Sequence, residues 1–463
     1  MLGLTAAVSL LTAPAMAEMT LDEVLGIAYG NNPTIQAQRD EVRSTDEQIT
    51  ESLAGFLPTI EVTGSITKNW TKYNDGKLKF GPLPFSIPTP SFKTEGTAKV
   101  LTTTLEQQVF TGGRRLNGLK QVRAAVRGNA AQLTDVEQQI FLQTVAAYMD
   151  VITNQSVVEL NENNVKVLDE QRTATQDRFD VGELTRTDVA QAEARLSGVQ
   201  SRLIAVEADL AGAQAALEKL IGTPVDTLVD PATLPATPEN EEAAQAIAMD
   251  LAPQIVAARA YAEAAEKAIK VAGGEWLPTF AIRGQLEYSR DADVISTLLN
   301  TTTFSKSISG VVNWKFFQGG AVLSRMRQAQ YDASRARTQI AEAQRGVAES
   351  VTNAWTGLRA ARATIRSAQA SVDANEIALD GVRQEADVGA RTTLDVLNAE
   401  QELLDARVTL AQARRNEVVA TYQLLAATGQ LTVENLDLPV ERIAVTKRSD
   451  QFFDGVNGSF LGN

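Results

Sequence analysis

The sequence of 463 residues contains no histidine and no cysteine. Without these residue types the chain cannot form a Ser-His-Asp or Cys-His catalytic site, a disulfide or a typical zinc site. No other arrangement of residues in the sequence suggests a catalytic centre. We therefore expect a protein that is not an enzyme and that uses no cofactor or metal.

Positive charge is scarce as well, because the formal net charge is −14 and the sequence pI is about 4.8. Binding to nucleic acid requires clustered Lys and Arg side chains that displace counterions from the phosphates. The charge balance therefore predicts that the chain has no nucleic acid partner.

Long apolar runs are missing beyond the first residues. The longest candidate uncharged run, residues 418–433, is too short and too polar for a spanning helix, which needs about 20 mostly apolar residues. Residues 2–11 are mostly apolar, and Ala15-Met16-Ala17 is a small-x-small pattern typical of a signal-peptidase site. We expect a signal peptide at residues 1–17 and export of the chain. The usual basic n-region is absent, so the true start of the signal stays open.

Proline is confined to a few places and is absent from residues 91–223 and 279–438. Because proline interrupts helices, these stretches can hold unusually long ones. A single helix from Arg114 to Val181 would be roughly 100 Å long at about 1.5 Å per residue. Such a length suits a bridge across a cell-envelope compartment better than a compact core.

The sequence has an internal repeat. Leu57-Pro58-Thr59 recurs as Leu277-Pro278-Thr279 after 220 residues. Two further pairs recur after 207 residues: the Gly-Gly at 112–113 and 319–320, and Val181-Gly182 and Val388-Gly389. Similar segments at a fixed offset are the signature of a duplicated unit.

The repeat predicts the organisation of the whole chain. The first half, residues 18–222, would contain a helix, a strand hairpin at about 59–110 and a long helix pair at 114–221. The second half, residues 240–429, would contain a strand hairpin at about 279–317 and a helix pair at 321–428. A linker at 223–239 and a tail at 430–463 complete the prediction.

The second helix of each pair has a heptad seam. Apolar residues alternate spacings of three and four at Val189, Ala192, Leu196, Val199, Leu203, Val206, Leu210, Ala213, Leu217 and Leu220. The positions 207 residues later are also apolar, except Glu417. Both halves are therefore predicted to pair their helices as coiled coils. An ordinary coiled-coil scaffold would show the same seam.

Each predicted strand hairpin alternates apolar and polar residues. Apolar residues recur at every second position from Ile60 to Trp70, from Phe280 to Tyr288 and from Ile308 to Phe316, with a few exceptions. Strands of about 10 residues are long enough to cross a membrane when tilted. Because the smallest membrane barrels have about eight strands, a barrel would require several chains. Long hairpin loops are predicted at 71–96, which contains four prolines, and at 289–304, and such loops are typical of outer-membrane hairpins. A soluble four-stranded sheet packed on helices would alternate in the same way.

The order of these segments, repeated twice, resembles the TolC-like outer-membrane efflux proteins, or outer membrane factors, over essentially the whole mature chain. The resemblance implies a mainly α fold in a homotrimer, with a membrane β-barrel of 12 strands, four per chain, and a coiled-coil tunnel of 12 helices. It also implies location in the outer membrane and its lipid, extension into the periplasm, and docking to a periplasmic membrane-fusion adaptor and an inner-membrane pump of the RND, ABC or MFS class. The linker and tail would form an equatorial belt.

The resemblance further implies a periplasmic gate at the ends of the long hairpins. The tip turns at Val181, Gly182, Val388 and Gly389 would dock the adaptor. Arg391 resembles the cation that ties one hairpin to Thr187 and Asp188 of a neighbouring hairpin. Asp395 resembles the acidic side chain that lines the constriction, where three carboxylates would attract cations and raise one another's pKa by repulsion.

The same residues have a purely structural interpretation. Thr185 with Asp188 and Thr392 with Asp395 are each three residues apart, so they are also candidate capping pairs at helix starts. The sequence leaves both roles open.

Two positions depart from the family pattern. Asn398 stands where family members commonly have an acidic residue that forms a second ring in the trimer, and Ala386 stands where they often have an aromatic residue. Both differences predict a weaker gate.

The predicted function is that of the outer-membrane channel of a tripartite efflux pump or a type I secretion system, exporting small molecules or proteins. The alternative is a periplasmic coiled-coil adaptor or an envelope scaffold protein, although adaptors as a rule carry a single hairpin. A tunnel wall of polar and small side chains is permissive, so the cargo cannot be predicted.

Overall fold

The computed structural model describes residues 19–79, 86–225, 227–231, 233–291, 302–443 and 445. The predicted signal peptide and the part of the predicted tail that follows residue 445 lie outside these residues. The described part is mainly helical with a small sheet, as predicted.

Helices account for most of the structure. They are α1 (Leu21–Asn31), α2 (Pro33–Ala54), α3 (Arg114–Asp180), α4 (Arg186–Ile221), α5 (Glu241–Leu251), α6 (Pro253–Gly273), α7 (Ala321–Asp387) and α8 (Thr393–Ala427). A short 3-10 turn, Gly274–Trp276, follows α6. The strands are β1 (Thr59–Tyr73), β2 (Gly76–Lys79), β3 (Ser86–Thr89), β4 (Phe92–Phe110), β5 (Thr279–Asp291) and β6 (Thr302–Asn313).

Proline sets the boundaries between the short helices. Pro33 begins α2 directly after α1, and Pro253 begins α6 directly after α5. Proline is well tolerated at the first helical position, where its missing N–H has no intrahelical partner in any case. These two breaks lie 220 residues apart, as do the starts of α1 at Leu21 and α5 at Glu241.

The two longest helices, α3 and α7, each contain 67 residues. Each begins directly after a Gly-Gly pair whose members have positive φ. At Gly112 the backbone passes so close to Gly274 that a side chain there would meet its carbonyl oxygen. Glycine is thus required at this point both for the left-handed conformation and for the close approach.

Four antiparallel strands form one sheet in the order β1-β4-β5-β6. One row of paired residues runs from Ile60 through Leu105 and Gly284 to Ile308. Because alternate residues share a face, this register places most apolar residues of the strands on the same face. Its exposed apolar members are Ile60, Val62, Ile66, Trp70, Leu101, Leu105, Ile282, Leu286, Tyr288, Phe304, Ile308 and Val312. We call this the apolar face of the sheet.

The opposite face of the sheet is polar. Arg283 donates to Glu106 across neighbouring strands at 2.7 and 3.0 Å. The predicted alternation is therefore present in three dimensions. The strand hairpin predicted to run to residue 317 ends earlier, because β6 stops at Asn313 and Trp314 donates instead to the carbonyl of Trp276.

The segment 71–96, read from its prolines as a long loop, contains structure. β1 continues to Tyr73, β4 begins at Phe92, and β2 pairs with β3 between them. Pro88 lies in β3, opposite Lys77. A two-stranded pair has only edge strands, so proline can leave its missing donor on the unpaired side. The predicted loop from 289 to 304 falls largely on residues outside those described.

The chain divides into two compact units, each built from several segments. The described part of the first unit comprises residues 19–44, 127–260 and 337–445. Its largest core joins α1, α3, α4 and α8 around side chains that are fully buried, including Leu25, Phe141, Tyr148, Leu217 and Leu425.

The predicted linker, residues 223–239, contributes to this core without forming a helix. The Tyr148 hydroxyl lies 3.0 Å from the Met19 carbonyl and 2.6 Å from the Val229 carbonyl. Met19 and Leu228 also form a parallel bridge. The linker is thus attached to the first described residues and to the middle of α3.

The second unit comprises, among the described residues, 45–126 and 261–336. It contains the sheet and a small core in which Ile49 of α2 packs against Leu119 and Val126 of α3. Because the strands connect directly to helices at residues 54–59, 110–114, 273–279 and 313–321, one end of the sheet is joined to helices. We call this the helix end of the sheet and the opposite one the distal end.

Candidate functional site: the helical hairpin tips

Two turns in the first unit join α3 to α4 and α7 to α8, and both have the same backbone geometry. Gly182 has a φ of 84° and Gly389 a φ of 79°. The amide of Glu183 donates to the carbonyl of Arg178 at 2.9 Å, and that of Ala390 donates to Glu385 at 2.8 Å. These bonds close the helix ends in the manner of a Schellman motif.

The tips expose apolar side chains beside the glycines. Val181 is 73% exposed and Val388 is 80% exposed. Each lies directly before the left-handed glycine, so the turn presents it outward from the helix end. An exposed valine in the same place on both hairpins gives the tips an apolar contact point.

The return helices both begin with a capping box. Asp188 accepts from the amide and hydroxyl of Thr185 at 2.8 and 2.7 Å, and Asp395 accepts from those of Thr392 at 2.9 and 2.8 Å. The capping interpretation of these residues is therefore present in the structure. It does not exclude a second role, since a carboxylate that caps a helix keeps its charge.

These hydrogen bonds affect the acidity of both carboxyls. In the single chain the bonds from Thr392 hold the pKa of Asp395 below its usual value, and those from Thr185 do the same for Asp188. Hydrogen bonds to a carboxylate favour its charged form. The rise in pKa expected for a ring of three Asp395 side chains would have to overcome this effect.

Arg391 lies on the second tip and is engaged within its own hairpin. Its Nε donates to the Glu385 carboxylate at 2.8 Å, and this contact raises the pKa of the guanidinium. Among the described residues it makes no ion pair with Asp188, and Thr187 is exposed in the first turn of α4. The predicted link from Arg391 to a neighbouring hairpin stays a prediction.

A groove of about 780 Å³ brings the two tips together. Asp188, Arg391 and Thr392 line it along with Gly389 and Ala386. Below the groove, Leu168, Val199 and Leu397 form a small core from α3, α4 and α8. Of the predicted site residues, Asp188, Gly389 and Arg391 line this groove, whereas Asp395, Thr187, Val181, Gly182 and Val388 are not among its lining residues.

Two polar contacts between α4 and α8 were not predicted. Arg195 donates to Asn398 at 2.7 Å, and Arg202 lies 3.4 Å from Asp405. Both members of the second contact lie seven residues after those of the first, which is the heptad spacing of the seam. That recurrence is the signal in the sequence that could have identified them. Asn398, which departs from the family pattern, is thus a contact between the two hairpins.

Neither a metal site nor a spanning helix is present in the part of the chain that the structure describes. No three His, Cys, Asp or Glu side chains there converge in a way that could hold a metal ion. None of the helices there combines the length and the apolar character required to cross a membrane.

The chain belongs to the outer membrane efflux protein family, whose sequence model matches residues 24–223 and 246–430. It is 33% identical to the outer membrane efflux protein BepC of Brucella suis, over 98% of this chain and 94% of that protein. It is 25% identical to the outer membrane protein TolC of Vibrio cholerae, over 94% of this chain and 96% of that protein. The predicted family, outer-membrane localisation and role in export are confirmed, and this is a family of channel proteins, not of known enzymes.

The fold agrees with a solved structure. The outer membrane protein VceC of Vibrio cholerae superposes with a TM-score of 0.71 at 18% identity, covering 88% of this chain and 96% of that one. This similarity shows the fold. The adaptor alternative is excluded by the family match, which covers both helical hairpins.

Proposed function

We propose that this chain forms a trimeric channel in the outer membrane, through which an efflux pump or a type I secretion system exports small molecules or proteins. The observation that carries the proposal is the combination of an exposed apolar face on a four-stranded sheet with two long helical hairpins in the same chain. The strands would cross the membrane and the hairpins would form the periplasmic tunnel.

The sheet itself supports an oligomer. β1 and β6 are its edge strands, and each has 12 residues or more. An edge strand in lipid leaves backbone groups unpaired at several kcal/mol each. Pairing β1 of one copy with β6 of the next removes every edge, and three copies give a barrel of 12 strands beside 12 long helices.

The exposed side chains support contact with lipid. Ile308 on the apolar face is 87% exposed, Ile66 is 74% exposed and Ile60 is 68% exposed. A soluble protein rarely leaves a contiguous apolar surface of this kind uncovered. The polar face, with its Arg283–Glu106 pair, would then face the water-filled channel.

The groove between the hairpin tips would be the periplasmic gate. Arg391 and Asp395 would control its width and charge, with Asp188 and Thr187 on the facing hairpin. Val181, Gly182, Val388 and Gly389 would form the docking points for a periplasmic adaptor, which in turn recruits an inner-membrane pump. The linker at 223–239 and the tail at 430–463 would form the equatorial belt around the tunnel.

The test is single-channel conductance of the purified protein in a planar bilayer, comparing wild type with Arg391→Ala. We expect discrete, cation-selective channels of uniform size, and a larger conductance in the variant because the tip loses its cation. Arg335→Ala is the matched control, since Arg335 pairs with Asp332 at 3.2 Å near the other end of α7 and is not one of the pairs between the helices of the hairpin.

A correctly folded, membrane-extracted oligomer that does not conduct would overturn the channel. Equal conductance changes in Arg391→Ala and Arg335→Ala would retain the channel and refute the position of the gate.

A further inference from the structure

The distal end of the apolar face carries a group of cations. Its four distal rows, from the row of Ile66 outward, carry five basic residues and one acidic residue, Glu95. The basic residues are Lys68, Lys72, Lys93, Lys99 and Arg290. We call these five residues the basic belt. Their number is notable in a chain whose formal net charge is −14.

The strand register makes this arrangement electrostatically unfavourable without a counter-anion. Lys72 lies directly opposite Lys93 on neighbouring strands, and Lys99 lies directly opposite Arg290. Like charges in directly opposed positions destabilise a sheet. Glu95 compensates only in part, because it pairs with Lys68.

The cations are concentrated in one part of one face. Nearer the helix end, Lys306 is the one charged residue on the described rows of this face, and the rows that contain Ile60, Ile282 and Val312 include none. The described strands of the polar face carry Glu61, Glu106, Glu287 and Arg283, so that side is acidic in balance. The belt is therefore not a general solubilising surface.

Aromatic rings accompany the belt. The Lys68 ammonium lies 5.1 Å from the centroid of Trp70. Trp70 is 70% exposed, and Phe304, 59% exposed, lies on the adjoining row toward the helix end. Aromatic rings that neighbour cations, beside an apolar surface, are typical of the boundary between the lipid hydrocarbon and the headgroups.

We propose that the basic belt binds the phosphate groups of the phosphorylated glycolipid that forms the outer leaflet of the outer membrane. This inference rests on the proposed function, because it requires the sheet to cross that membrane with its helix end toward the periplasm. The distal end then lies in the outer leaflet, with the apolar rows in the hydrocarbon and the belt at the level of the phosphates.

The chemistry fits this ligand. Each phosphate of the glycolipid is a divalent or monovalent anion fixed close to the acyl chains, and Lys and Arg side chains are its usual protein partners. The opposed pairs Lys72–Lys93 and Lys99–Arg290 can each hold one anion between two cations on strands about 4.8 Å apart. A bound phosphate thus removes the repulsion that the register creates.

The test measures binding of purified bisphosphorylated lipid A, the membrane anchor of the glycolipid, by native mass spectrometry of the detergent-extracted oligomer. The variant Lys99→Gln with Arg290→Gln removes one opposed pair. We expect its affinity to fall about 30-fold, since each basic residue near an anionic lipid surface contributes roughly five-fold. The control, Arg345→Gln with Arg359→Gln on exposed positions of α7, changes the net charge equally and should bind as wild type.

Two further probes identify the ligand. Enzymatically dephosphorylated lipid A should bind at least 30-fold more weakly than the phosphorylated form to wild type. Vesicle-derived phosphatidylglycerol, which has a single phosphate, should also bind more weakly. Equal binding of phosphorylated and dephosphorylated lipid A, or tighter binding of phosphatidylglycerol, would overturn the proposal.

Conductance in a phosphatidylcholine bilayer separates this inference from the proposed function. Unchanged affinity for lipid A in a variant that conducts like wild type refutes the belt and leaves the channel standing, whereas a wild type that does not conduct refutes the channel. If the first variant does not fold, Lys72→Gln with Lys93→Gln applies the same test at the other opposed pair.

Discussion

The contact between Arg195 and Asn398 gives a prediction for how tightly the tunnel closes. The side-chain amide oxygen of Asn398 accepts from Arg195 at 2.7 Å, which ties α4 to α8 near the tips. Asn398→Asp replaces the neutral acceptor with a carboxylate in the same place. The hydrogen bond then becomes an ion pair between two exposed side chains.

The magnitude follows from the exposure of the pair. An exposed ion pair contributes about 0.2–1 kcal/mol, so the substitution should stabilise the closed arrangement by about 0.5 kcal/mol per chain. In a trimer whose three chains open together, this amounts to about 1.5 kcal/mol, or roughly a tenfold lower ratio of open to closed channels. The effect should shrink as salt rises, because exposed charges are screened.

The assay is open probability in planar bilayers at low and high salt, together with block by divalent cations. Asn398→Asp should lower the open probability. It should increase cation block strongly only when Arg195→Gln is also present, since Arg195 otherwise neutralises the new carboxylate. An equal reduction of open probability in both backgrounds would show that the contact is not the cause. No change in either open probability or block would refute the reasoning altogether.

Two further predictions concern stability. Gly112→Ala should lower the free energy of unfolding by about 2–4 kcal/mol, because the strain of a left-handed conformation and a clash with Gly274 add together. Gly319→Ala has the same backbone strain but open space around the new side chain, so it should lower the free energy of unfolding by only about 1–2 kcal/mol. Thermal melts of both variants test the difference. Burial raises the pKa of Glu137 to about 7, despite Arg39 at 3.6 Å, so the folded state binds more protons than the unfolded one and stability should fall as pH rises from about 4.5 to 7. Glu137→Gln should remove this part of the pH dependence of the melting temperature, and parallel curves for wild type and variant would contradict it.

Much of the helical structure could be predicted because its signals are local. Proline cannot continue a helix, so its absence from residues 91–223 allowed one helix where the structure has Arg114–Asp180. Glycine favours the left-handed conformation that ends helices, and Gly182 and Gly389 adopt it. The capping pairs were also readable, because threonine and aspartate three residues apart satisfy the free amides of a helix start whatever surrounds them.

The contacts between hairpins were not predicted, because the heptad spacing suggests candidate pairs but does not fix the register of helices far apart in the sequence. Arg195 and Asn398 are 203 residues apart, and a shift of α4 by one residue would separate them. Similarly, Arg391 was predicted to contact Thr187 and Asp188 of a neighbouring hairpin, and its bond to Glu385 within the chain was not predicted. The strands β2 and β3 were missed for another reason: prolines in that segment argue against a central strand but not against an isolated pair.

The two halves have nearly the same backbone, but their hairpins are held together by different chemistry. α7 and α8 are joined by three ion pairs, Arg383–Glu400, Glu376–Arg407 and Arg362–Glu417. At the positions 207 residues earlier, the first two pairs each have one uncharged residue, Gln176 in place of Arg383 and Gln200 in place of Arg407. The third pair has two, Gln155 and Leu210. The first hairpin therefore relies on its apolar seam, whereas the second adds charge pairs to its own.

This difference bears on the proposed gate. Exposed ion pairs contribute little to stability individually, but three of them along one hairpin favour a single register of its two helices. Arg391 and Asp395 lie on that hairpin, while Thr187 and Asp188 lie on the hairpin that lacks ion pairs at the equivalent positions. If the proposed gate opens by movement of a hairpin, we therefore expect the second hairpin to move more nearly as one body than the first.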